Sequence, residues 1–224
     1  MEKQDFISYL KTVDTPTLSN AIERLKLRSR AEGFTSCETR CLFPDLGRMV
    51  GYAVTAHVET VTTMGSLSGA AFHSLFAAVE AAPKPAVVVL QEIGGSRDYA
   101  AHCGEVMASI FKRTGAVGLV SDCAVRDLDE VHAIGMHYFA RGAVASHAHF
   151  RIVRCGDPVQ VDGMVVRPGD LLHGDRNGLL SVPDCDPHDV YEAVEAVRCE
   201  EGALLRYVRS DEFSLEGLRD RFLH

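Results

Sequence analysis

The chain has no CxxC pair, no long apolar run and no excess of basic residues, and each absence removes a class of function. Seven cysteines lie scattered over 224 residues, with only Cys37 and Cys41 close together. That pattern favours reduced thiols in a cytoplasmic protein over a disulfide framework or a zinc knuckle. A net charge of −8 speaks against nucleic acid as a partner, because phosphates call for a basic face. The opening MEKQDFISYLKTVD lacks the apolar centre of a signal peptide, and no segment approaches transmembrane length. The expectation is a soluble cytoplasmic protein without a membrane partner. Also missing are a GxSxG elbow, a GxGxxG loop and a Walker lysine. Lysine itself is scarce. The five are Lys3, Lys11, Lys26, Lys84 and Lys112, and none has the buried setting that a Schiff-base aldolase needs.

What is present is a compact α/β pattern. Hydrophobic residues make up 46% of the chain, enough for a substantial core, and neither a linker nor a repeat divides it. One domain over residues 1–224 is expected. Asp14-Thr15-Pro16-Thr17 opens a helix running to about Leu25. Gly51 to Thr62 alternates as a strand, and Ser66 to Ala82 is a helix stopped by Pro83-Lys84-Pro85. Ala86 to Leu90, AVVVL, is a strand buried on both faces. From Arg151 to Val182 short strands are punctuated by Asp162-Gly163, Pro168-Gly169-Asp170 and Asn177-Gly178. Asp186-Pro187 caps a closing helix.

The chemistry concentrates in Gly104 to Glu130, GEVMASIFKRTGAVGLVSDCAVRDLDE. Val106, Met107, Ile110 and Phe111 recur at helical spacing, and Gly115 follows where a left-handed C-cap is wanted. Ala116 to Val120 then reads as a buried strand, and Asp122, Arg126, Asp127 and Glu130 come just beyond its carboxyl end. Ligands collect there in open α/β sheets. Acidic residues in a first helical turn also serve the helix dipole, so Asp127 and Glu130 alone are equally well read as capping. Asp122, Glu105 and an arginine among them favour a site. Clustered carboxylates with few histidines suit a hard cation such as Mg²⁺ or Mn²⁺. The amides of Glu105, Val106 and Met107, unpaired at a helix start, could hold an anion. A cation, an arginine and an amide nest suit a small dicarboxylate or 2-oxo acid.

Glu105, twenty intervening residues, then Arg126-Asp127-x-x-Glu130 resembles the D-x20-R-D-x2-E/D signature of the 4-hydroxy-4-methyl-2-oxoglutarate aldolase family, which shares its fold with the RraA regulators. GAVGLVSDCAVRDLDEV and VRPGDLLHGDRNGLLSVP are similar to two further blocks of that family, and the resemblance spans about residues 12–200. It implies a three-layer β/β/α swivelling fold like the phosphohistidine domain, and trimers or hexamers with sites at subunit contacts. It also implies a divalent metal on Asp127, with Arg126 and the Gly104–Met107 loop (Gly104, Glu105, Val106 and Met107) holding the pyruvate portion. The implied activity is metal-dependent cleavage of a 4-hydroxy-2-oxo acid, with oxaloacetate decarboxylation as a second activity. Glu105, Asp122 and Glu130 are the candidates for positioning the base, and Arg126 stabilises the enolate. The alternative is a non-catalytic, RraA-like trimeric protein-binding regulator. Two departures stand out. Glu105 is one methylene longer than the aspartate of the signature, and Ser146 to His149, SHAH, replaces a loop bearing proline and lysine. His147 and His149, two apart, could project together as ligands or a base, although such histidines are more often surface or core residues.

Overall fold

The computed structural model describes residues 2–61, 69–95 and 97–222; the expected strand end at Thr62 and helix start at Ser66 lie outside them. Two helices open the chain, α1 (Lys3–Leu10) and α2 (Thr15–Leu25). Strand β1 (Arg40–Cys41) precedes the long β2 (Met49–Val61), then α3 (Gly69–Ala81), β3 (Ala86–Glu92), α4 (Glu105–Arg113), β4 (Ala116–Ser121), α5 (Leu128–Ala133) and β5 (His137–Ala140). The later part holds β6 (His149–Cys155), β7 (Val159–Val161), β8 (Met164–Val166), β9 (Leu171–Asp175) and β10 (Gly178–Val182). Helices α6 (Pro187–Val208) and α7 (Leu215–Phe222) close it. Among the described residues no helix is long and apolar enough to cross a membrane.

An eight-stranded mixed sheet runs in the order β1-β5-β4-β3-β2-β9-β10, with β6 added on β2. The pairs β2–β3, β3–β4 and β4–β5 are parallel. Their crossovers are α3, α4 and α5, as parallel neighbours require. Strand β2 serves two antiparallel partners in turn: Met49–Tyr52 pair with β9 and Ala56–Val61 with β6.

Strand β3 shows why AVVVL must be apolar throughout. Val88 and Leu90 face a cluster with Leu75, Val79 and Phe111 of the helical layer, while Val87 and Val89 face Val159, Val161 and Met164 of the β7–β8 ribbon. Helices, central sheet and ribbon thus form the α, β and β layers expected. Phe111 is wholly buried, a contribution of about 1.5–3 kcal/mol for such a side chain. Local signals set the ends. Asp14 accepts from the Thr17 amide at 2.9 Å, and Asp186 accepts from the His188 amide at 2.8 Å. Gly115, at φ +97°, makes the left-handed turn between α4 and β4.

The ends of the chain differ from expectation. The opening residues, for which no element was expected, form α1, because Phe6, Ile7 and Leu10 bury themselves against α2 and α6 in a third core cluster. Helix α7 was not expected; it is anchored to Tyr207, whose hydroxyl accepts from the Ser214 amide at 3.1 Å. Val106, read as part of a helical core face, is 74% exposed; Ala108 and Phe111 carry the burial of α4.

Candidate active site

Strands β3 and β4 end side by side, with Leu90 paired to Ser121, so the residues just beyond them meet. Asp122 is fully buried and accepts from the Glu92 amide at 2.7 Å; its other oxygen lies 3.3 Å from Arg97 Nε. Burial pushes the Asp122 carboxyl up to about 7, against the Glu92 hydrogen bond and Arg97, with Asp162 and Glu92 adding repulsion. Burial would also raise Glu92. Hydrogen bonds from His102, Thr60 and Gly94 outweigh it and hold that carboxyl down to about 2.

Five residues on, the chain turns sharply. Asp127 takes a left-handed backbone, φ +57°, which aspartate tolerates better than most side chains. This conformation lets its Oδ2 accept from the Glu105 amide at 2.8 Å, with Arg126 Nε 3.5 Å from the same oxygen. Gly104 makes the approach possible: a Cβ there would stand 2.4 Å from Asp127 Oδ2 and 2.9 Å from Arg126 Nε. Arg126 engages only through Nε, and its two terminal nitrogens make no hydrogen bond or ion pair among the described residues. Arg126 lines a cavity of about 210 Å³ together with Phe72, Val106, Met107, His147 and Phe150.

The cluster is therefore smaller than the sequence implied. Gly104, Glu105, Arg126 and Asp127 come together, and Gly104, Val106, Met107 and Arg126 line the cavity. The four carboxylates do not surround Arg126, because Asp122 turns inward to Glu92 and Arg97, and Glu130 lies exposed on α5. Nor is the Glu105 amide free for an anion, since Asp127 takes it; Val106 and Met107 keep theirs. His147 lines the cavity, whereas His149 starts β6 in register with Val61, so the two histidines diverge. Phe72, Phe150 and His102 were not anticipated. Phe72 and Phe150 sit far from the charged stretch in sequence, and only the packing of α3 and β6 brings them to it, while His102 lies just before that stretch in a loop without helical or strand spacing.

Two places could hold a metal. Asp127 keeps Oδ1 without a hydrogen bond among the described residues, which suits a hard cation that retains much of its water. The described residues place no three-ligand group there. Glu92, His102 and Cys123 do bring ligand atoms within 4.8 Å of one another. Those atoms are already committed. The Glu92 carboxylate accepts from Thr60, Gly94 and His102; His102 Nδ1 meets Ser121 Oγ at 3.0 Å; and burial pushes the Cys123 thiol up to about 12. A satisfied buried network of this kind stabilises the fold, and we read the triad so. A larger cavity of about 580 Å³ beside α2 and α6 shares no residue with this site, and its Arg24 and Glu200 neutralise one another.

These features define an α/β protein with an arginine and a carboxylate side by side at the sheet's carboxyl end. The RraA-like family model, Aldolase/RraA, matches residues 15–180, and the chain belongs to that family. A protein of Halalkalibacterium halodurans named "Putative 4-hydroxy-4-methyl-2-oxoglutarate aldolase" is 25% identical over 222 residues, covering 98% of this chain and 96% of its own. Among solved structures, a protein of Pseudomonas syringae pv. tomato superposes with a TM-score of 0.72 at 23% identity, covering 96% of this chain and 97% of its own. Streptomyces coelicolor RraAS2, described as an unusual member of the RNase ES inhibitor RraA family, gives 0.69 at 23% identity, covering 93% and 98%. At such identities the structural likeness establishes the fold alone.

Proposed function

We propose that the chain is a divalent-metal-dependent lyase that cleaves a 4-hydroxy-2-oxo acid and releases pyruvate, with oxaloacetate decarboxylation as a second activity. The observation that carries this reading is Arg126 beside Asp127, with the Arg126 terminal nitrogens and Asp127 Oδ1 making no hydrogen bond or ion pair among the described residues. Arg126 binds the substrate carboxylate through its planar fork. The amides of Val106 and Met107, at the positive end of α4, stabilise charge developing on the keto oxygen. Asp127 would hold a hard cation, Mg²⁺ or Mn²⁺, which would supply Lewis acidity for the enolate when bound. The 4-hydroxyl gives up its proton, the C3–C4 bond breaks, and its electron pair passes into the enolate, which takes a proton at C3 to become pyruvate.

Of Glu105, Asp122 and Glu130, we assign the 4-hydroxyl proton to Glu105, because Gly104 and Val106 on either side of it line the cavity. Asp122 faces Arg97 within the protein and acts from behind the site. The reading includes a homotrimer or hexamer with subunit contacts near the exposed Val106 and Tyr99. A non-catalytic, protein-binding regulator is the rival, and the likeness to RraAS2 gives it the fold but no residue of its own. Pyruvate release from a panel of 4-hydroxy-2-oxo acids separates them. EDTA should abolish it, Mg²⁺ or Mn²⁺ should restore it, and Asp127→Asn should remove most of it, asparagine being at ease in the left-handed backbone. Full release in EDTA, or no release from any acid, would reject the proposal.

A further inference from the structure

Beyond the carboxyl end of the sheet, residues 101–103, 124–126 and 142–146 run side by side as a short parallel continuation of it. Ala101 bridges to Ala124, and Val125 to Ala143. The His102 amide donates to the Ala124 carbonyl at 2.9 Å; the Val125 amide donates to Gly142 and the Arg126 amide to Cys103, both at 3.0 Å. Gly104, Arg126 and His147 end or follow these segments and line the cavity. The register of the three segments therefore sets where Arg126 stands relative to the start of α4.

At the near end, a charged residue precedes each segment: Arg97, Asp122 and Arg141. A fourth, Asp162, reaches them from the β7–β8 turn in the other layer. Its side chain is 3% exposed, with Oδ1 3.5 Å from Arg97 and 3.7 Å from Arg141. Oδ2 accepts from Thr39 Oγ1 at 2.5 Å, which fixes the direction of the carboxylate. Arg97 also lies 3.3 Å from Asp122, and Arg141 lies 2.6 Å from Asp98. A carboxylate so far out of water depends on its cations, and they in turn are drawn to it. The Asp162-Gly163 turn, with φ +41° and +94°, places it there. Asp162 does not line the cavity, so it reaches the site through the two arginines.

We propose that Asp162 is a positioning residue: by drawing Arg97 and Arg141 to one buried carboxylate, it holds the three segments in register and sets Arg126 against the start of α4. The effect on rate rests on the lyase reading; the pinning of the segments does not. Asp162→Asn keeps the shape and the Thr39 bond, suits the left-handed turn and removes the charge. Hydrogen exchange of the full chain should then show residues 101–103, 124–126 and 142–146 opening at least about tenfold faster, with β9 unchanged. In pyruvate release kcat should fall at least about tenfold, with a smaller change in KM, because misplacement near an ångström is costly. Arg97→Gln, at a side chain 42% exposed, should move both readouts the same way. Combined with Asp162→Asn it should add little, as for partners in one contact. Asp175→Asn is the control, a carboxylate 7% exposed on β9 that accepts from the Thr15 amide at 2.9 Å. It should lower stability without either effect. Exchange that is unchanged, or raised evenly along the chain, overturns the proposal, as does local opening with kcat at the wild-type value. Local opening in a protein that releases no pyruvate from any acid upholds the pinning and rejects the lyase. Pyruvate release without local opening keeps the lyase and rejects the pinning.

Discussion

The backbone N–H of Glu105 donates to Oδ2 of Asp127 at 2.8 Å, joining two residues 22 positions apart across the carboxyl end of the sheet. One bond thus ties the start of α4 to the start of α5 and leaves the second carboxylate oxygen of Asp127 without a hydrogen bond among the described residues. Gly104 sits against it, and its extended backbone, φ −134°, is open to any residue, so only contact demands glycine there. Gly104→Ala would press a methyl into Asp127 and Arg126. We expect kcat/KM to fall at least about tenfold, because misplacement near an ångström is costly in catalysis. Stability should drop by about 1–3 kcal/mol as for overpacking elsewhere. Unaltered kinetics would mean that the Asp127–Arg126 geometry does not matter to the reaction.

Arg126 offers a sharper separation of binding from structure. Lysine keeps the charge but loses the fork, so Arg126→Lys should lower kcat/KM by a factor on the order of ten or more, one charge-assisted hydrogen bond being worth roughly 1.5–3 kcal/mol. The melting temperature should stay near wild type, since the side chain is 37% exposed and, among the described residues, pairs only with Asp127. A large loss of melting temperature with intact kinetics would make Arg126 a structural partner of Asp127.

Asp122 predicts a pH dependence of folding. Its carboxyl ordinarily titrates at 3.8 and is raised by burial to about 7, facing Arg97, Asp162 and Glu92. The folded chain then holds a proton that the unfolded chain has released. Its contribution to stability is complete below about pH 4 and is lost as pH rises through 7. Glu92 runs the opposite way: held down to about 2 against an ordinary 4.5, it contributes above pH 4.5 and loses that contribution only in stronger acid. Between pH 5 and 8 the difference between wild type and Asp122→Asn should therefore isolate Asp122. The wild type should lose ground by a few kcal/mol, each tenfold change in proton affinity being worth about 1.4 kcal/mol. Urea unfolding at four pH values across that range measures it. Parallel curves for the two proteins would mean that Asp122 is ionised when folded.

What could be read from the residues alone follows the range of each signal. The caps at Asp14 and Asp186, the turn at Gly115 and the doubly buried β3 depend on neighbours in sequence, and all were legible. So was the grouping of Glu105, Arg126 and Asp127, through their fixed spacing. The direction of Asp122 was not, because it is set by Glu92 on the adjacent strand and by Arg97 from a loop. The apolar walls escaped for the same reason. Phe72 and Phe150 read as core residues on an unremarkable helix and strand, and only the pairing of β6 with β2 brings Phe150 over the site. Helix α1 was missed because its apolar residues are too few to declare themselves without the partners that bury them.

Glu105 is where this chain leaves the aldolase signature, and its two possible roles make opposite predictions. As the first residue of α4 it complements the helix dipole, an effect of roughly 0.3–1 kcal/mol that aspartate supplies equally well. As the group that takes the 4-hydroxyl proton, it depends on reach, and one methylene less withdraws the carboxylate from a substrate placed by Arg126. Its side chain is exposed and has no partner among the described residues, so shortening it disturbs nothing else. Glu105→Asp should therefore keep wild-type stability while its rate or its preference among 2-oxo acids changes. Glu105→Gln keeps the length and removes the charge; it should lose pyruvate release by at least about a hundredfold, the usual scale for a general base. Its binding of pyruvate, which has no 4-hydroxyl to lose, should hardly change. If both variants release pyruvate as wild type does across the panel, Glu105 only starts a helix, and the proton must be taken by another group.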